Sequence, residues 1–261
     1  MFWDSDSFRQ LLQTRHFGRE IVFIQEIDST NRWLLEKETE FHLAGATVVA
    51  NHQTAGRGRH GRRWEDVPGK SLLFSVLLRP GKDSSPLGFL SLAAGLAIAE
   101  ATIRICRCPA KRVQLKWPND VLIDGFKVAG ILMESVSAGG EPRVVVGIGV
   151  NLWQEQHELP QECRVPASSL QLLLPASFSR EELLTQILLE LENLYDLFQE
   201  GRMEEIRRRW LAFSSPLGMA MSVEVPQAVA RGIFEGIGKE GQLLLRESNG
   251  ALREIYSGEI L

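Results

Sequence analysis

The sequence has few cysteines, no excess of positive charge and no N-terminal targeting signal. Its three cysteines, Cys106, Cys108 and Cys163, form an odd set without C-x-x-C spacing, so neither a disulfide framework nor a zinc site is predicted. The formal net charge of -4 disfavours a dedicated nucleic-acid-binding protein. No basic segment followed by an apolar run opens the chain, and we expect no stretch of bilayer-spanning length. We therefore expect a cytoplasmic protein that binds neither DNA nor a membrane.

The composition and the order of local patterns predict two domains. With 261 residues, of which 44% are hydrophobic and 24% charged, the chain can bury one large core and a smaller second one. From Met219 onward the pattern changes to short strands with glycine turns, which is typical of a small β-barrel. We predict a larger domain over residues 1–215 and a barrel domain over residues 216–261.

The larger domain is predicted to be of the α+β class, with a mixed, largely antiparallel sheet, because successive hairpins dominate its pattern. Predicted strands cover residues 20–26, 46–51, Ser71–Leu78, 113–117, 121–123, 126–128, 131–137 and 144–151, with turns at Asp124-Gly125 and Gly139-Gly140. Predicted helices cover residues 4–15, 28–41, 86–105, 180–200 and 203–213, the fourth opened by a capping box at Ser179 and Glu182. Barrel strands are predicted at residues 222–225, 229–236, 242–246 and 252–256.

Residues 53–64, Gln-Thr-Ala-Gly-Arg-Gly-Arg-His-Gly-Arg-Arg-Trp, are called the arginine loop below. Its glycines permit close backbone approach, and its arginines offer permanently charged, planar forks for phosphate or carboxylate. The stretch lacks the Lys-Ser/Thr ending of a P-loop, so a solvated basic segment or an RGG-like nucleic-acid tract stays open. Trp64 favours a nucleotide, because a large aromatic ring gives a flat base a surface for stacking.

Two other places indicate a ligand, each beside an ordinary structural explanation. Asp28 or Ser29 is expected to cap the helix that follows, although a helix start with free hydroxyls also suits a polar ligand. Gly147 and Gly149 alternate on one face of a strand, which indicates close approach of a ligand or another backbone. Four polar residues, Lys116, Asn119, Asp120 and Lys127, lie around the predicted hairpin. A turn by itself explains the Asn and the Asp, but it does not explain the two lysines.

Five motifs, in this order along about half of the chain, resemble those of biotin protein ligases. They are Asp28-Ser-Thr-Asn31, the arginine loop, Lys116-Trp-Pro-Asn-Asp-Val121, Lys127-Val-Ala-Gly-Ile-Leu-Met-Glu134 and Val146-Gly-Ile-Gly-Val-Asn151. The resemblance implies a catalytic domain like that of class II aminoacyl-tRNA synthetases. It also implies two reactions: biotin and ATP form biotinyl-5′-AMP, and biotin then passes to a lysine of a biotin carboxyl carrier protein.

The resemblance further implies which residues hold each substrate. Biotin is expected at Ser29, Thr30, Gln53, Gly56, Arg57, Arg59, Lys127, Gly130 and Gly147. ATP and the adenylate are expected at Arg59, Arg62, Trp64, Lys116, Asn119 and Asn151. The implied catalytic residues are Arg57, Arg59, Lys127 and Asp120, with Mg²⁺ near Asn119 and Asp120. Fixed cations would offset the repulsion between biotin's carboxylate and the α-phosphate, and Asp120 would orient or deprotonate the acceptor lysine.

Two positions depart from the family pattern: His60, where a further arginine is common, and Thr54, where glutamine is frequent. Too few residues precede the first motif for a winged helix-turn-helix, so we expect the ligase-only form without repressor activity. A lipoate ligase shares the adenylate chemistry, and with the RGG-type module it forms the alternative interpretation. We also expect the arginine loop to be mobile without substrates, and homodimerisation, which is frequent in the family, stays open.

Overall fold

The computed structural model describes residues 3–41, 43–81, 86–138, 141–161, 163–175 and 177–261. Its helices are α1 (Ser5–Leu11), α2 (Thr30–Glu36), α3 (Gly88–Ile105), α4 (Leu170–Leu173), α5 (Arg180–Gln199) and α6 (Met203–Leu211). Its first seven strands are β1 (Ile21–Ile24), β2 (Thr47–Ala50), β3 (Ser71–Leu78), β4 (Val113–Lys116), β5 (Asp120–Ile123), β6 (Phe126–Ala138) and β7 (Glu141–Asn151). The last five are β8 (Ala220–Val225), β9 (Ala228–Ile237), β10 (Leu243–Arg246), β11 (Leu252–Ile255) and β12 (Glu259–Ile260).

A seven-stranded mixed sheet organises the larger part of the chain. Its strands lie in the order β1-β2-β3-β7-β6-β5-β4, and every pairing is antiparallel except that of β1 with β2. Successive residues of a strand face opposite sides, so Val48 packs in the core beneath α2 while Val49 packs in the core that contains α3. The predicted α+β class and largely antiparallel sheet are confirmed.

Local turn and cap chemistry explains where several elements begin. Asp124 and Gly125 have φ of 52° and 81°, the left-handed pair that a tight hairpin between β5 and β6 requires. The Ser179 hydroxyl accepts the backbone N–H of Glu182 at 3.0 Å, and the Glu182 carboxylate accepts that of Ser179 at 2.8 Å. The predicted turn and capping box are therefore confirmed, whereas the predicted Gly139-Gly140 turn lies outside the described residues.

The C-terminal strands form an antiparallel sheet in the order β11-β10-β9-β8-β12. The ladders among the described strands run from β11 to β12 and do not join these two edges, so the sheet is five-stranded and not a closed barrel. The sheet packs close to the larger domain: the Trp117 indole N–H donates to the carbonyl of Gly241 at 3.1 Å. We retain the boundary between residues 215 and 216 as a proposal.

Two expectations from the sequence are wrong. The first is that no stretch of the chain reaches bilayer-spanning length: helix α3 is long and apolar enough to cross a membrane by length and composition, with a mean hydropathy of 1.5. However, 67% of it is buried inside the fold, where it packs on α5, α6 and the sheet, so protein contacts account for its apolar composition.

The second wrong expectation is the helix cap at Asp28 or Ser29. Ser29 occupies the N-cap position of α2 but makes no side-chain capping hydrogen bond. The Asp28 carboxylate instead accepts the Ser29 N–H at 2.6 Å.

Candidate active site

A cavity of about 130 Å³ lies between the arginine loop and the sheet. The structure brings to it all but two of the residues that the sequence predicts for the site. The predicted residues that line the cavity are Ser29, Thr30, Gln53, Arg57, Arg59, Arg62, Trp64, Lys116, Asn119, Asp120, Lys127, Gly130 and Gly147. Residues from α2, the arginine loop and the strands β4 to β7 thus meet at one place, although up to 120 positions separate them along the chain (29 to 149).

A buried network of hydrogen bonds fixes the polar end of the cavity. Gln53 Oε1 accepts from the backbone N–H of Thr30 at 2.8 Å and from its hydroxyl at 3.0 Å. Because the carbonyl oxygen is used in this way, the amide nitrogen of Gln53 is the part left to donate to a ligand. Ser75, fully buried on β3, has its hydroxyl 2.8 Å from Thr30 Oγ1 and 2.6 Å from Asn31 Oδ1.

Gly147 makes room for the side chain of Asn31. A Cβ atom at Gly147 would lie 2.1 Å from Asn31 Oδ1, a distance that no real contact permits. The Asn31 amide nitrogen donates to the carbonyl of Leu132 at 3.0 Å and to Glu134 Oε2 at 2.8 Å. The close approach that the glycine pattern predicts therefore occurs, and the group that approaches Gly147 is this asparagine.

The arginine loop folds back on itself as a short hairpin. The Trp64 N–H donates to the carbonyl of Gly56 at 3.0 Å, and the Gly58 N–H donates to that of Arg62 at 2.7 Å. A Cβ atom at Gly56 would lie 2.6 Å from the Trp64 carbonyl oxygen, so this glycine permits the crossing. Gly56 does not line the cavity itself. His60 lies at the tip with φ of 56°, a left-handed conformation that is uncommon for residues other than glycine.

Trp64 lies across the glycines of the central strands. A Cβ atom at Gly149 would meet the indole ring at 2.5 Å, and one at Gly130 would meet it at 2.8 Å. The Lys127 Nζ atom lies 5.9 Å from the ring centroid, within reach of a cation–π attraction. The indole Nε1–H is buried and donates to no group among the described residues. The ring thus has an unused donor at the wall of the cavity.

Carboxylates pair with three of the cations that the sequence predicts for the site. Arg57 Nη2 lies 2.9 Å from Glu134 Oε2, and Lys127 Nζ lies 2.6 Å from Asp120 Oδ1. Arg62 pairs with Glu259 of the C-terminal sheet. The hydrogen bonds from Arg62 lower the pKa of Glu259 below its usual range. These pairs hold the cations in place around the cavity.

Arg59 and Lys116 are the more buried cations. Arg59 Nη1 donates to the Gly258 carbonyl at 3.2 Å and reaches Asn119 Oδ1 at 3.4 Å. Burial lowers the pKa of Arg59, while the charges of Asp120 and Glu259 oppose this effect. Burial also lowers the pKa of the Lys116 amine, opposed by the same two carboxylates. A polyanion would replace lost water contacts for both cations.

Asn151 is the second predicted residue that does not line the cavity. Its side chain is only 5% exposed, and its amide nitrogen donates to the Ser168 carbonyl at 3.0 Å. Its Oδ1 atom accepts from the Gln154 amide at 3.2 Å. The structure therefore directs this side chain into the loop after β7, and the predicted contact with the adenine edge stays a prediction.

Comparison with known proteins gives consistent results along the whole chain. The Biotin/lipoate A/B protein ligase family matches residues 23–151, and the Biotin protein ligase C terminal domain matches residues 221–261. The biotin–[acetyl-CoA-carboxylase] ligase of Mycobacterium tuberculosis is 34% identical over 99% of this chain and 95% of the relative. The chain belongs to the biotin protein ligase family.

Two further biotin ligases extend the comparison. The bifunctional ligase/repressor BirA of Bacillus subtilis is 31% identical, over 95% of this chain and 76% of that protein. The biotin protein ligase of Aquifex aeolicus, solved in complex with biotin and ATP, is 31% identical with a TM-score of 0.78, over 93% of this chain and 98% of that one. The relatives and the C-terminal domain are those of biotin ligases, so the lipoate interpretation is not favoured.

Sequence reasoning missed three residues of this biotin ligase site. Asn31 was noted only as a member of the first motif, and Glu134 only as the end of the fourth. Glu259 belongs to β12, a two-residue strand that the sequence did not predict. No local signal pointed to Glu259, because its partner Arg62 is 197 positions away.

Proposed function

We propose that the protein is an ATP-dependent biotin protein ligase that joins biotin to a lysine of a biotin carboxyl carrier domain. One observation carries the proposal: the arginine loop lies over a cavity that also contains the buried Thr30–Gln53 pair. Known biotin ligases align along the whole chain, and one was solved with biotin and ATP. Biotin's carboxylate attacks the α-phosphorus and pyrophosphate leaves. The lysine amine then attacks the acyl carbon and AMP leaves.

The biotin ring is proposed to bind at the Thr30–Gln53 end of the cavity. The free amide nitrogen of Gln53 suits the ureido oxygen, and the Ser29 hydroxyl, which caps nothing, is available to the same ring. Gly56 supports the crossing of the arginine loop beside this pair. Gly130, whose added Cβ would lie 2.8 Å from Trp64, allows the indole to pack directly on the strand, and we keep it as a proposed part of the biotin slot beside that ring.

The phosphates are proposed to bind at the opposite, cationic end. Arg59 and Lys116 are partly buried, so their charges act there through little water and stabilise the negative charge that develops on the phosphates. Arg62 and Lys127 add two further cations, each already oriented by a carboxylate. Arg57 is proposed to act mainly through its backbone and its pair with Glu134. Trp64 is proposed to cover the adenine, and Asn151 to hydrogen-bond its edge after the Asn151 side chain turns away from Ser168.

Mg²⁺ is proposed to bind with the phosphates near Asn119 and Asp120. Mg²⁺ commonly uses one or two protein carboxylates plus substrate phosphates, and Asp120 with the Asn119 amide oxygen is such a donor set. The described residues contain no cluster of three or more His, Cys, Asp or Glu side chains placed for a metal. When bound, the ion neutralises phosphate charge; Asn119 and Asp120 hold their positions through Ile131 and Lys127.

Asp120 is also proposed to prepare the acceptor lysine. A free lysine amine, with a pKa of about 10.4, is protonated at neutral pH and must lose a proton before it attacks the acyl carbon. Asp120 lines the cavity at the proposed phosphate end, where its carboxylate, held in place by Lys127, is proposed to orient or deprotonate the incoming amine. Positioning and charge stabilisation then account for catalysis without an enzyme nucleophile.

The proposal includes three statements about partners and location. The acceptor is a carboxylase carrier domain, the protein works in the cytoplasm, and it binds neither DNA nor a membrane. A homodimer, which is frequent in the family and often forms through sheet edges, stays open. Sedimentation at several protein concentrations, with and without biotin and ATP, tests the assembly independently of activity.

Pyrophosphate release from ATP tests the function. The wild-type protein is assayed with biotin or lipoate, each with and without a carrier domain, beside Arg59→Ala and the control Arg9→Ala. Arg9 lies on α1, exposed and away from the cavity, so its loss removes the same charge without touching the site. We expect biotin-dependent release that turns over only with the carrier, unchanged in Arg9→Ala and reduced about a hundredfold in Arg59→Ala.

Other outcomes would reject the proposal in distinct ways. Pyrophosphate release with lipoate but not with biotin would show that the protein is a lipoate ligase. No release with either substrate, together with salt-sensitive retention on nucleic acid, would support the RGG-type interpretation of the arginine loop. Equal activity of Arg59→Ala and wild type would show that Arg59 of the arginine loop does not contribute to adenylate formation.

A further inference from the structure

One buried carboxylate joins the two ends of the arginine loop. Asp66, whose side chain is 1% exposed, lies just after Trp64, at the C-terminal end of the loop. Its Oδ2 atom is 2.9 Å from Nδ1 of His52, the residue just before the loop. Its Oδ1 atom accepts the backbone N–H of Gln53 at 3.3 Å. Both carboxylate oxygens of Asp66 are thus used on the other end of the same loop.

The contact between Asp66 and Gln53 matters because Gln53 is the residue proposed to donate a hydrogen bond to biotin's ring. Gln53 is fixed at two points: its side chain by Thr30, and its backbone N–H by Asp66. The chain here is also paired with the segment before α2, since the Ile27 N–H donates to the His52 carbonyl at 3.2 Å. A shift of His52 or Gln53 would therefore move the Gln53 amide nitrogen, which is proposed to donate to the biotin ring.

We propose that Asp66 and His52 are positioning residues for biotin recognition: their pair closes the base of the arginine loop and sets the position of Gln53. The proposal rests on the proposed function, because it assigns Gln53 to biotin. Neither residue lines the cavity, so both act through Gln53 and the loop.

Physical reasoning favours the base of the loop as the place for such a pair. The loop is rich in glycine and arginine, so its open forms have high conformational entropy. Holding its two ends together reduces that entropy before the ligand arrives. A buried carboxylate is effective here, because leaving the N–H of the buried Gln53 without an acceptor is costly.

The first experiment measures kcat and KM for biotin, and KM for ATP, in Asp66→Ala, Asp66→Asn, His52→Phe and His52→Gln. Asp66→Ala and His52→Phe are expected to raise KM for biotin about tenfold, the effect of one hydrogen bond to a charged group, with kcat within about twofold. Asp66→Asn keeps an acceptor for the Gln53 N–H, and His52→Gln keeps a donor for Asp66. Both are expected to recover most of the loss.

The matched control is Glu65→Ala, which removes the adjacent exposed carboxylate and should leave all three parameters unchanged. Hydrogen exchange of residues 54–64 gives a second readout that needs no activity: Asp66→Ala should exchange faster there, with α5 unchanged. An unchanged KM for biotin in folded Asp66→Ala, or equal losses in kcat and both KM values, would overturn the proposal. If wild type forms no biotinyl-AMP, the proposed function fails, and the exchange result alone decides whether the pair closes the loop.

Discussion

Gly149 on β7 lies directly under Trp64, and replacing it with alanine should weaken ATP binding more than biotin binding. An added Cβ atom would lie 2.5 Å from Trp64 Cε2, 2.7 Å from Cζ2 and 2.9 Å from Nε1. Carbon atoms in good contact are about 3.5–4.0 Å apart, so the ring must move by about 1 Å. The strand cannot yield instead, because Gly149 is paired with Leu73 on one side and Gly130 on the other.

The expected magnitude follows from this overlap. Inserting a methyl group into a packed site costs about 1–3 kcal/mol. If the whole cost falls on the ring position that covers adenine, KM for ATP rises between about 5-fold and 150-fold. The Thr30–Gln53 pair does not touch Gly149, so the dissociation constant for biotin alone should change less than about threefold.

Pyrophosphate release at saturating biotin, over a range of ATP concentrations, measures the first effect, and calorimetry with biotin alone measures the second. Gly95→Ala on α3 is the control, because its Cβ atom would lie 3.5 Å from Leu115 Cδ2, an ordinary contact. An unchanged KM for ATP in folded Gly149→Ala would refute the assignment of Trp64 to adenine. An equal loss of biotin affinity would show that the ring serves the whole ligand.

Three further predictions test other parts of the structure. Glu259→Gln removes the Arg62 pair, which is partly exposed, so biotinyl-AMP should dissociate about fivefold faster, a change of about 1 kcal/mol; an unchanged rate contradicts this. Because burial holds the pKa of Lys116 below 10.5, raising the pH should increase KM for ATP before pH 10.5 is reached, and Lys116→Arg should remove this rise. Ser179→Ala should lower the free energy of unfolding by about 1 kcal/mol, measured with urea, because a helix cap is lost.

Signals carried by neighbouring residues predicted much of the fold. The largely apolar segment Ser71–Leu78 is the strand β3, with the same bounds, because a strand buried on both faces needs no alternation. The Asp124-Gly125 turn and the Ser179 capping box act within a few residues, so the sequence contains their full mechanism. Such elements depend little on distant parts of the chain.

Contacts between distant residues could not be predicted in this way. Gly147 and Gly149 indicated close approach, but only the fold shows that Asn31 reaches the first and Trp64 the second. Ser29 satisfied every local rule for a helix cap, yet the Asp28 carboxylate takes its N–H and no capping bond forms. The resemblance to biotin ligases brought most cavity residues together, whereas Asn151 turns toward Ser168 through contacts that no motif describes.

The pairing of cations in the cavity explains how an acidic protein keeps a loop rich in arginine closed over a polyanion site. Unpaired arginines close together would repel each other and keep the loop open. Glu134, Asp120 and Glu259 each balance one cation in advance, so charge repulsion is reduced before ATP binds. Because Glu259 belongs to the C-terminal sheet, the orientation of Arg62 depends on contact between the two domains, and separating them should weaken ATP binding even if the catalytic domain stays folded.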